Sequence, residues 1–467
     1  MADTNWAQDL TQYPGPKYLA LSRALREAIR SGRLVPGAQL PTVRDLAWDL
    51  KVTPGTVSRA YQIATQEGLL AATVGRGTFV ASAAPRFGPT TALAVDRDPA
   101  RIEGKADLRS PRLPDVGQGE AIAAAFAGLA NTMRGDWLDY PFQHAEEPLR
   151  AAVVDWLADR RMGEIAADDV ALSMGGQNAI GIVLACVLRG DRPHVLTEDL
   201  AYPGFRHAAR AARAEVVAID LDAHGMRPDA LDAACRRHPA QVLCLTPAAQ
   251  NPTTVQMPAA RRDEIVAVAR AHDLQIIEDD CYTPAQAVLP AIRALAPERT
   301  WAVGSLSKTF SAALRFGWVV CPADMGRAAR MTAQHSFFAL ARPVSDLCLS
   351  LLTSGEAGRL RAQVGAVFAE QLDAVVEELG AHDLAWQPGL PFVWLRLPQG
   401  WRASTFTRMA EAEGVLLRSA DEFALIGGRA PHAVRLALNG QVSLAEVRRG
   451  CAVLARLLAA PPAELSV

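Results

Sequence analysis

Seven short apolar runs, DVALSM, HVLTE, EVVAID, QVLCLTP, LQIIEDD, TWAVGS and WVVCP, punctuate the sequence between Asp169 and Pro322. Each has the length of a strand, several are rich in β-branched residues, and helix-length segments separate them. A strand covered on both faces reads as a continuous apolar run, whereas a half-exposed one alternates. The rhythm therefore restricts this stretch to a largely parallel α/β sheet flanked by helices. It also places the loops after the strands along one edge, where such sheets carry their chemistry.

At 467 residues the chain has room for about two to four domains. Half its residues are hydrophobic and 21% charged, the balance of an ordinary globular protein. The seven cysteines (Cys186, Cys235, Cys244, Cys281, Cys321, Cys348 and Cys451) are odd in number, and no pair has CxxC spacing. Neither a disulfide framework nor a metal site is indicated. The opening MADTNWAQDL lacks the basic and apolar regions of a secretion signal, and no apolar run reaches the roughly 20 residues of a membrane span. The expectation is a cytoplasmic protein without a membrane partner. Its net charge of −2 conceals an asymmetry, because the stretch 14–83 carries nine basic and four acidic side chains. A small basic module on an acidic body points to an anionic partner such as nucleic acid.

Within that stretch, YLALSRALREAIRSG sets Leu21, Ala24, Leu25, Ala28 and Ile29 on one helical face, with Gly32 as its cap. A short helix, TVRDLAWDL, follows with Thr42 as N-cap. VTPGTVSRAYQIATQEG reads as the next helix, with Pro54 in its first turn and Val57, Tyr61 and Ala64 inward. LLAATVGRGTFVAS then reads as two strands around a Gly75-Arg76-Gly77 turn. This is a helix-turn-helix with a wing, in which the second short helix enters the major groove of double-stranded DNA. Arg44, Thr56 and Arg76 are placed to reach base edges or phosphates, and Lys51 and Arg59 to neutralise phosphates. A helical module that packs against protein is the competing reading. The stretch PGAQLPTVRDLAWDLKVTPGTVSRAYQIATQEGLLAATVGRGTFV resembles the GntR-type winged helix along its whole length. It departs where Pro54-Gly55 replace the arginine that usually precedes the Thr56-Val57 pair. From Ala84 to about residue 120 the chain is rich in proline and glycine and reads as a linker crossing the surface of the next domain, or as that domain's irregular N-terminal arm.

Four lysines, Lys17, Lys51, Lys105 and Lys308, stand against 44 arginines. Arginine cannot lose its proton and attack a carbonyl, whereas a desolvated lysine can. Lys308, in the apolar body, is therefore a candidate Schiff-base former. Other strand ends supply companions. Gly175, Gly176 and Gln177 precede a helix, where free N–H groups make a phosphate cradle. Asn251 follows QVLCLTP with an amide. Asp279, Asp280 and Tyr282 close LQIIEDDCY, and Ser305, Ser307 and Arg315 surround Lys308. Pyridoxal 5'-phosphate would satisfy all of these at once, with an aldehyde for Lys308 and a phosphate for Ser305, Ser307, Arg315 and the Gly176–Gln177 turn. Its phenolate oxygen suits Asn251 and Tyr282, and its ring nitrogen suits an acid.

DYPFQHAEEPLR, GGQNAI, EDLAYPG, QNPTT, EDDCY, SLSKTFSAALRFGW and VRLALNG resemble the motifs of fold-type I aminotransferases over about residues 105–460. The resemblance implies that Lys308 holds the cofactor and that Asn251 and Tyr282 bind its ring hydroxyl. It implies Asp279 as pyridine partner, with Asp280 a rival, and Tyr202 stacked on the ring. Tyr140 matches a tyrosine that reaches the phosphate of the neighbouring subunit, and Arg435 one that grips a substrate carboxylate. Pro388-Gly389-Leu390-Pro391-Phe392 and Ala145 depart from the family pattern. Histidines His144, His207 and His335 read as surface or packing residues, and Cys281 as a small buried hydrophobe. Residues 14–83 are thus expected as a DNA-binding domain, 84–120 as linker, 121–340 as a large cofactor domain and 341–467 as a small α+β C-terminal domain. That layout resembles the MocR family of bacterial transcriptional regulators. It implies a head-to-tail, domain-swapped homodimer controlling an operator through an amine or amino acid effector, or through the cofactor itself. A catalytically active aminotransferase with an accessory DNA-binding module is the alternative.

Overall fold

Each of the seven runs is a strand of one sheet in the computed structural model. The structure describes residues 15–30, 33–35, 37–66, 69–73, 77–80, 104–131, 143–282, 289–425 and 430–459, together with residues 6, 10 and 140. The chain divides into two units, residues 1–94 and 95–467.

In the first unit, α1 (Lys17–Arg30), α2 (Val43–Asp49) and α3 (Pro54–Gln66) precede the antiparallel strands β1 (Leu70–Thr73) and β2 (Gly77–Val80). Leu21, Leu25 and Ala28 from α1 share a core with Leu46, Val57, Ala60, Tyr61 and Ala64. The inward faces are those the helical period requires. Thr42 caps α2 by accepting the Asp45 N–H at 3.2 Å, and its own hydroxyl donates to the Asp45 carboxylate at 2.7 Å. Tyr61 donates to the Pro41 carbonyl at 3.0 Å, which pins α3 to the start of α2. Ala38 and Leu40 exchange backbone hydrogen bonds with Val80 and Thr78, adding a third short pairing to the wing. Gly77, at φ 109°, lies where a Cβ would meet the Gln39 side chain at 2.9 Å. The expected cap Gly32 and the turn residue Arg76 fall outside the described residues.

The second unit begins with β3 (Ala106–Asp107). Its main sheet follows: β4 (Val170–Ser173), β5 (His194–Glu198), β6 (Glu215–Ile219), a side hairpin of β7 (Leu221–Asp222) and β8 (Gly225–Met226), then β9 (Ala240–Leu245), β10 (Gln275–Asp279), β11 (Thr300–Ser305) and β12 (Gly317–Val320). The order is β4-β12-β11-β10-β9-β5-β6, with β12 antiparallel to both neighbours and the other pairings parallel. The ends of β4, β5, β9, β10 and β11 consequently share one edge. A second, antiparallel sheet has β13 (Leu384–Ala385), β14 (Phe392–Arg396), β17 (Ala433–Ala437) and β16 (Arg418–Ser419) in that order, while β15 (Val415–Leu416) pairs parallel with β3.

Two aspects of the expected layout take a different form. Residues 104–117, at the far end of the stretch read as a linker, are stitched into the second sheet region: Ala106 donates to Gly414, Leu108 to Leu416, and Ala437 to Leu108. Leu347, Cys348 and Leu351 share a core with Leu172 and Trp318 of the main sheet, although they lie beyond residue 340. The passage to the C-terminal core runs inside one helix, Glu356–Leu379. Its Ala357 and Leu360 join the first core, and Val364, Phe368, Leu372 and Val375 the second.

Candidate functional site

The shared strand edge gathers most of the residues singled out from the sequence. After β11 the chain makes one 3-10 turn, Leu306–Lys308, with Leu306 fully buried and Lys308 half-buried. Burying the apolar residue of that turn leaves the lysine to project, and its Nζ lies 5.7 Å from the Tyr282 ring centre. Tyr282 in turn meets Phe392 edge-on at 5.2 Å and packs against Ala249, Leu390 and Ala437.

Asp279 and Asp280 are adjacent on an extended stretch, so they point to opposite faces. Asp280 faces Arg160, whose Nε is 3.9 Å from its carboxylate, and burial pushes its carboxyl up to about 8. Asp279 faces the side where Cys281 and Tyr202 lie. It accepts the Cys281 N–H at 3.0 Å, and burial raises its carboxyl. Burial also raises the Tyr202 phenol and pushes the Cys281 thiol well above its usual range, as befits an inert packing residue.

Asn251 and Arg435 meet. Arg435 Nη1 donates to Asn251 Oδ1 at 2.7 Å, so the amide's NH2 is the end left to donate elsewhere. Arg435 is 5% exposed, lies over the Phe423 and Phe392 rings, and is pushed down to about 10 by burial. Gln250, which sequence reasoning passed over, organises the turn. It donates to Leu200 O at 2.6 Å and to Glu198, and its carbonyl accepts from the Thr253 N–H and hydroxyl. The signal was its place inside QNPTT.

Beyond β4, Gly175 at φ 84° leads into the helix Gly176–Val187. The first N–H groups of a helix have no partner within it. A Cβ on Gly175 would lie 2.7 Å from Arg315 Nη2, and one on Gly176 2.8 Å from Cys281 Sγ, so only glycine allows these groups to converge. Gln177 donates to the Gly204 carbonyl at 2.8 Å, and a Cβ on Gly204 would collide with Tyr202 and Gln177. Arg315, at φ 49°, donates to the Met174 carbonyl at 3.1 Å. Ser305 is buried with its hydroxyl 4.0 Å from Cys281 Sγ. The buried Ser307 hydroxyl has no hydrogen-bond partner among the described residues. An orphaned buried hydroxyl next in sequence to Lys308, on the strand edge where Arg315 also lies against the Gly175 turn, suits a phosphate. The donor set fits pyridoxal phosphate. Tyr140 keeps other company: it is 73% exposed and stacked on Phe338 at 5.3 Å.

In the first unit, Arg44 and Lys51 are exposed. The Arg59 guanidinium lies 4.4 Å over the Tyr18 ring, and the Thr56 hydroxyl is 2.9 Å from that of Thr53. These last two residues are therefore partly engaged within the module.

Residues 112–454 match the family model described as aminotransferase class I and II, and residues 17–80 that of bacterial regulatory proteins of the gntR family. The chain is 28% identical to an uncharacterized HTH-type transcriptional regulator YdeF of Bacillus subtilis, over 97% of each chain. It is 27% identical to the vitamin B6 salvage pathway transcriptional repressor PtsJ of Salmonella typhimurium, over 89% of this chain and 93% of that one. Among solved structures, a Pyrococcus horikoshii kynurenine aminotransferase superposes with a TM-score of 0.68 at 21% identity, over 81% of this chain and 96% of that one. This last likeness concerns the fold.

Proposed function

The chain belongs to the aminotransferase class I and II family and carries a gntR-type module ahead of that domain, the MocR-type layout; from this premise we propose that it is a pyridoxal-phosphate-dependent transcriptional regulator. Its effector is an amine or amino acid, or the cofactor itself. The observation that carries the reading is the presence, in one chain, of a winged module and of Lys308 set against Tyr282 beside an orphaned Ser307 hydroxyl.

When bound, the cofactor supplies an aldehyde reactive toward amines and an electron-withdrawing ring. Lys308 would hold it through its ε-amine. Ser305, Ser307, Arg315 and the N–H groups of Gly176 and Gln177 would hold the phosphate. The Asn251 NH2, oriented by Arg435, and the Tyr282 hydroxyl would donate to the ring oxygen. Asp279, rather than Asp280, would face the ring nitrogen, because Asp280 is turned toward Arg160. Tyr202 would lie on the ring, and Tyr140 would act on a neighbouring copy in a head-to-tail homodimer in the cytoplasm. Among the described residues, no helix is long and apolar enough to cross a membrane. In the first unit, Arg44, Lys51, Thr56, Arg59 and Arg76 would contact an operator. Arg435 offers a carboxylate a fixed, always charged fork, the differential contact an effector needs in order to shift a conformational equilibrium.

The test titrates loaded protein with amines and amino acids while following visible absorbance and operator binding across salt concentrations. A ligand should change absorbance in a single turnover and alter an affinity that falls as salt rises. Indifference of DNA affinity to every absorbance-active ligand refutes the proposal. Sustained conversion of an amino donor and a keto acid, with no effect on DNA, would favour the aminotransferase reading.

A further inference from the structure

Arg435 is the residue proposed to grip an effector carboxylate, yet its fork is already partly filled. Nη1 donates to Asn251 Oδ1 at 2.7 Å, Nη2 to the backbone carbonyl of Arg109 at 2.9 Å, and the buried Nε has no partner among the described residues. A two-pronged grip on a carboxylate draws on Nη2, whether paired with Nε or with Nη1. Nη2 carries two N–H groups, so an incoming carboxylate oxygen has to share that nitrogen with a carbonyl oxygen that crowds and repels it.

That carbonyl belongs to a built arm. Asp107 is buried and accepts from Arg109 Nε at 2.8 Å and Nη2 at 3.2 Å, while Asn439 donates to the Asp107 carbonyl at 2.8 Å. Arg418, directly across from Arg435 on the neighbouring strand, sends its Nε to the same Arg109 carbonyl at 3.1 Å. Arg418 is itself held by Glu422 and lies 3.4 Å from the Ser110 hydroxyl. One backbone oxygen thus has two arginine donors, only one of which the effector would need.

We propose that the Arg109 carbonyl is a displaceable stand-in for an effector carboxylate. Arg418 is the positioning residue that keeps this oxygen satisfied when Arg435 is drawn away. Retaining one charged donor keeps the exchange from leaving a part-buried carbonyl without a partner, a loss that would offset the new contact. The effector class follows: an amino acid works the arm, whereas an amine lacking the carboxylate does not. In the chain, the arm follows residues 81–103, themselves downstream of the winged module, so a carboxylate at Arg435 acts on the polypeptide leading to the DNA-binding unit. This inference rests on Arg435 being the carboxylate partner in the proposed function.

The experiment is hydrogen–deuterium exchange on the full-length, pyridoxal-phosphate-loaded protein, read at the Ala106 and Leu108 amides. These donate to Gly414 O at 2.8 Å and Leu416 O at 2.9 Å. The probes are L-alanine and ethylamine, which differ by the carboxylate alone. At concentrations that saturate the cofactor's absorbance change, L-alanine should speed exchange at both amides about tenfold, the effect of one lost charge-assisted hydrogen bond, and ethylamine should not. Saturation by L-alanine with unchanged exchange, or an equal response to ethylamine, overturns the proposal. Arg435→Met and Arg418→Met give a ligand-free check, the second at a residue whose side chain is 23% exposed. Each should raise exchange at the two amides, and wild-type exchange in both refutes the arm's role. If no amino compound alters absorbance, the proposed function fails on its own, while the two variants still decide the arm.

Discussion

The two units organise their polar side chains in opposite ways. In the winged module the side-chain to side-chain hydrogen bonds of Thr42 with Asp45 and of Thr53 with Thr56 are local, each three residues apart, and the DNA-facing candidates Arg44 and Lys51 are exposed. In the second unit the decisive contacts span the chain, Arg435 with Asn251 and with the Arg109 carbonyl, and Arg435 and Asn251 are both buried. A surface that meets a polyanion gains by keeping its charges solvated and mobile, because the affinity comes from displaced counterions. A site that orients a small ligand must fix its groups in advance, which only burial by distant elements achieves. Substitutions should therefore have graded effects in the first unit and sharp ones in the second.

The sharpest break should come at Lys308. Lys308→Ala should abolish the borohydride-trapped cofactor adduct, read by mass spectrometry, whereas Lys105→Ala should leave it intact. Next, Asp279→Asn should weaken pyridoxal phosphate binding about 10- to 100-fold, the loss of one charge-assisted contact, while Asp280→Asn should change it little. A fluorescence titration of the two variants separates the faces of β10.

Glu198, 2% exposed and bonded to Thr246 and Gln250, tests the buried unit through pH. Burial pushes its carboxyl up to about 7, above the unfolded chain's value of about 4.3, so folding retains a proton there. That contribution is whole below the unfolded value and is lost as pH rises through about 7. Urea unfolding should show wild type losing up to ~3 kcal/mol between pH 5 and 8 that Glu198→Gln does not lose.

In the first unit, Arg44→Ala or Lys51→Ala should each lower the salt slope of operator binding by about 0.9, seen by fluorescence anisotropy at several salt concentrations. Arg59→Ala should do less, because that guanidinium already lies over Tyr18. Smallest of all, Thr42→Ala should destabilise the module by about 1 kcal/mol without altering the cofactor's spectrum.

Much of this was legible in the sequence. The seven apolar runs are the seven strands of the main sheet; β4 and β12, buried along their whole length, are near-continuously apolar, whereas edge strand β6 is part-exposed. The helix faces and the Thr42 cap of the winged module follow from periodicity and from unpaired N–H groups. Lys308, Asn251, Tyr282 and the Gly175–Gln177 turn stood out because strand-end loops share an edge once the sheet is parallel. The chemistry of Lys308, one of four lysines against 44 arginines, needed no coordinates.

What the chain alone left open depends on packing between distant segments. The resemblance favours Asp279 as ring partner with Asp280 a rival, and the fold adds that successive side chains leave a strand on opposite faces, with Arg160 on the Asp280 side. Composition reads residues 104–117 as linker or as the next domain's irregular arm, and their partners Gly414, Leu416 and Ala437, some three hundred residues away, lie beyond any local pattern. The occupied fork of Arg435 is likewise a product of the fold: local periodicity can say that a residue is buried, but which groups share its burial depends on how the whole chain closes.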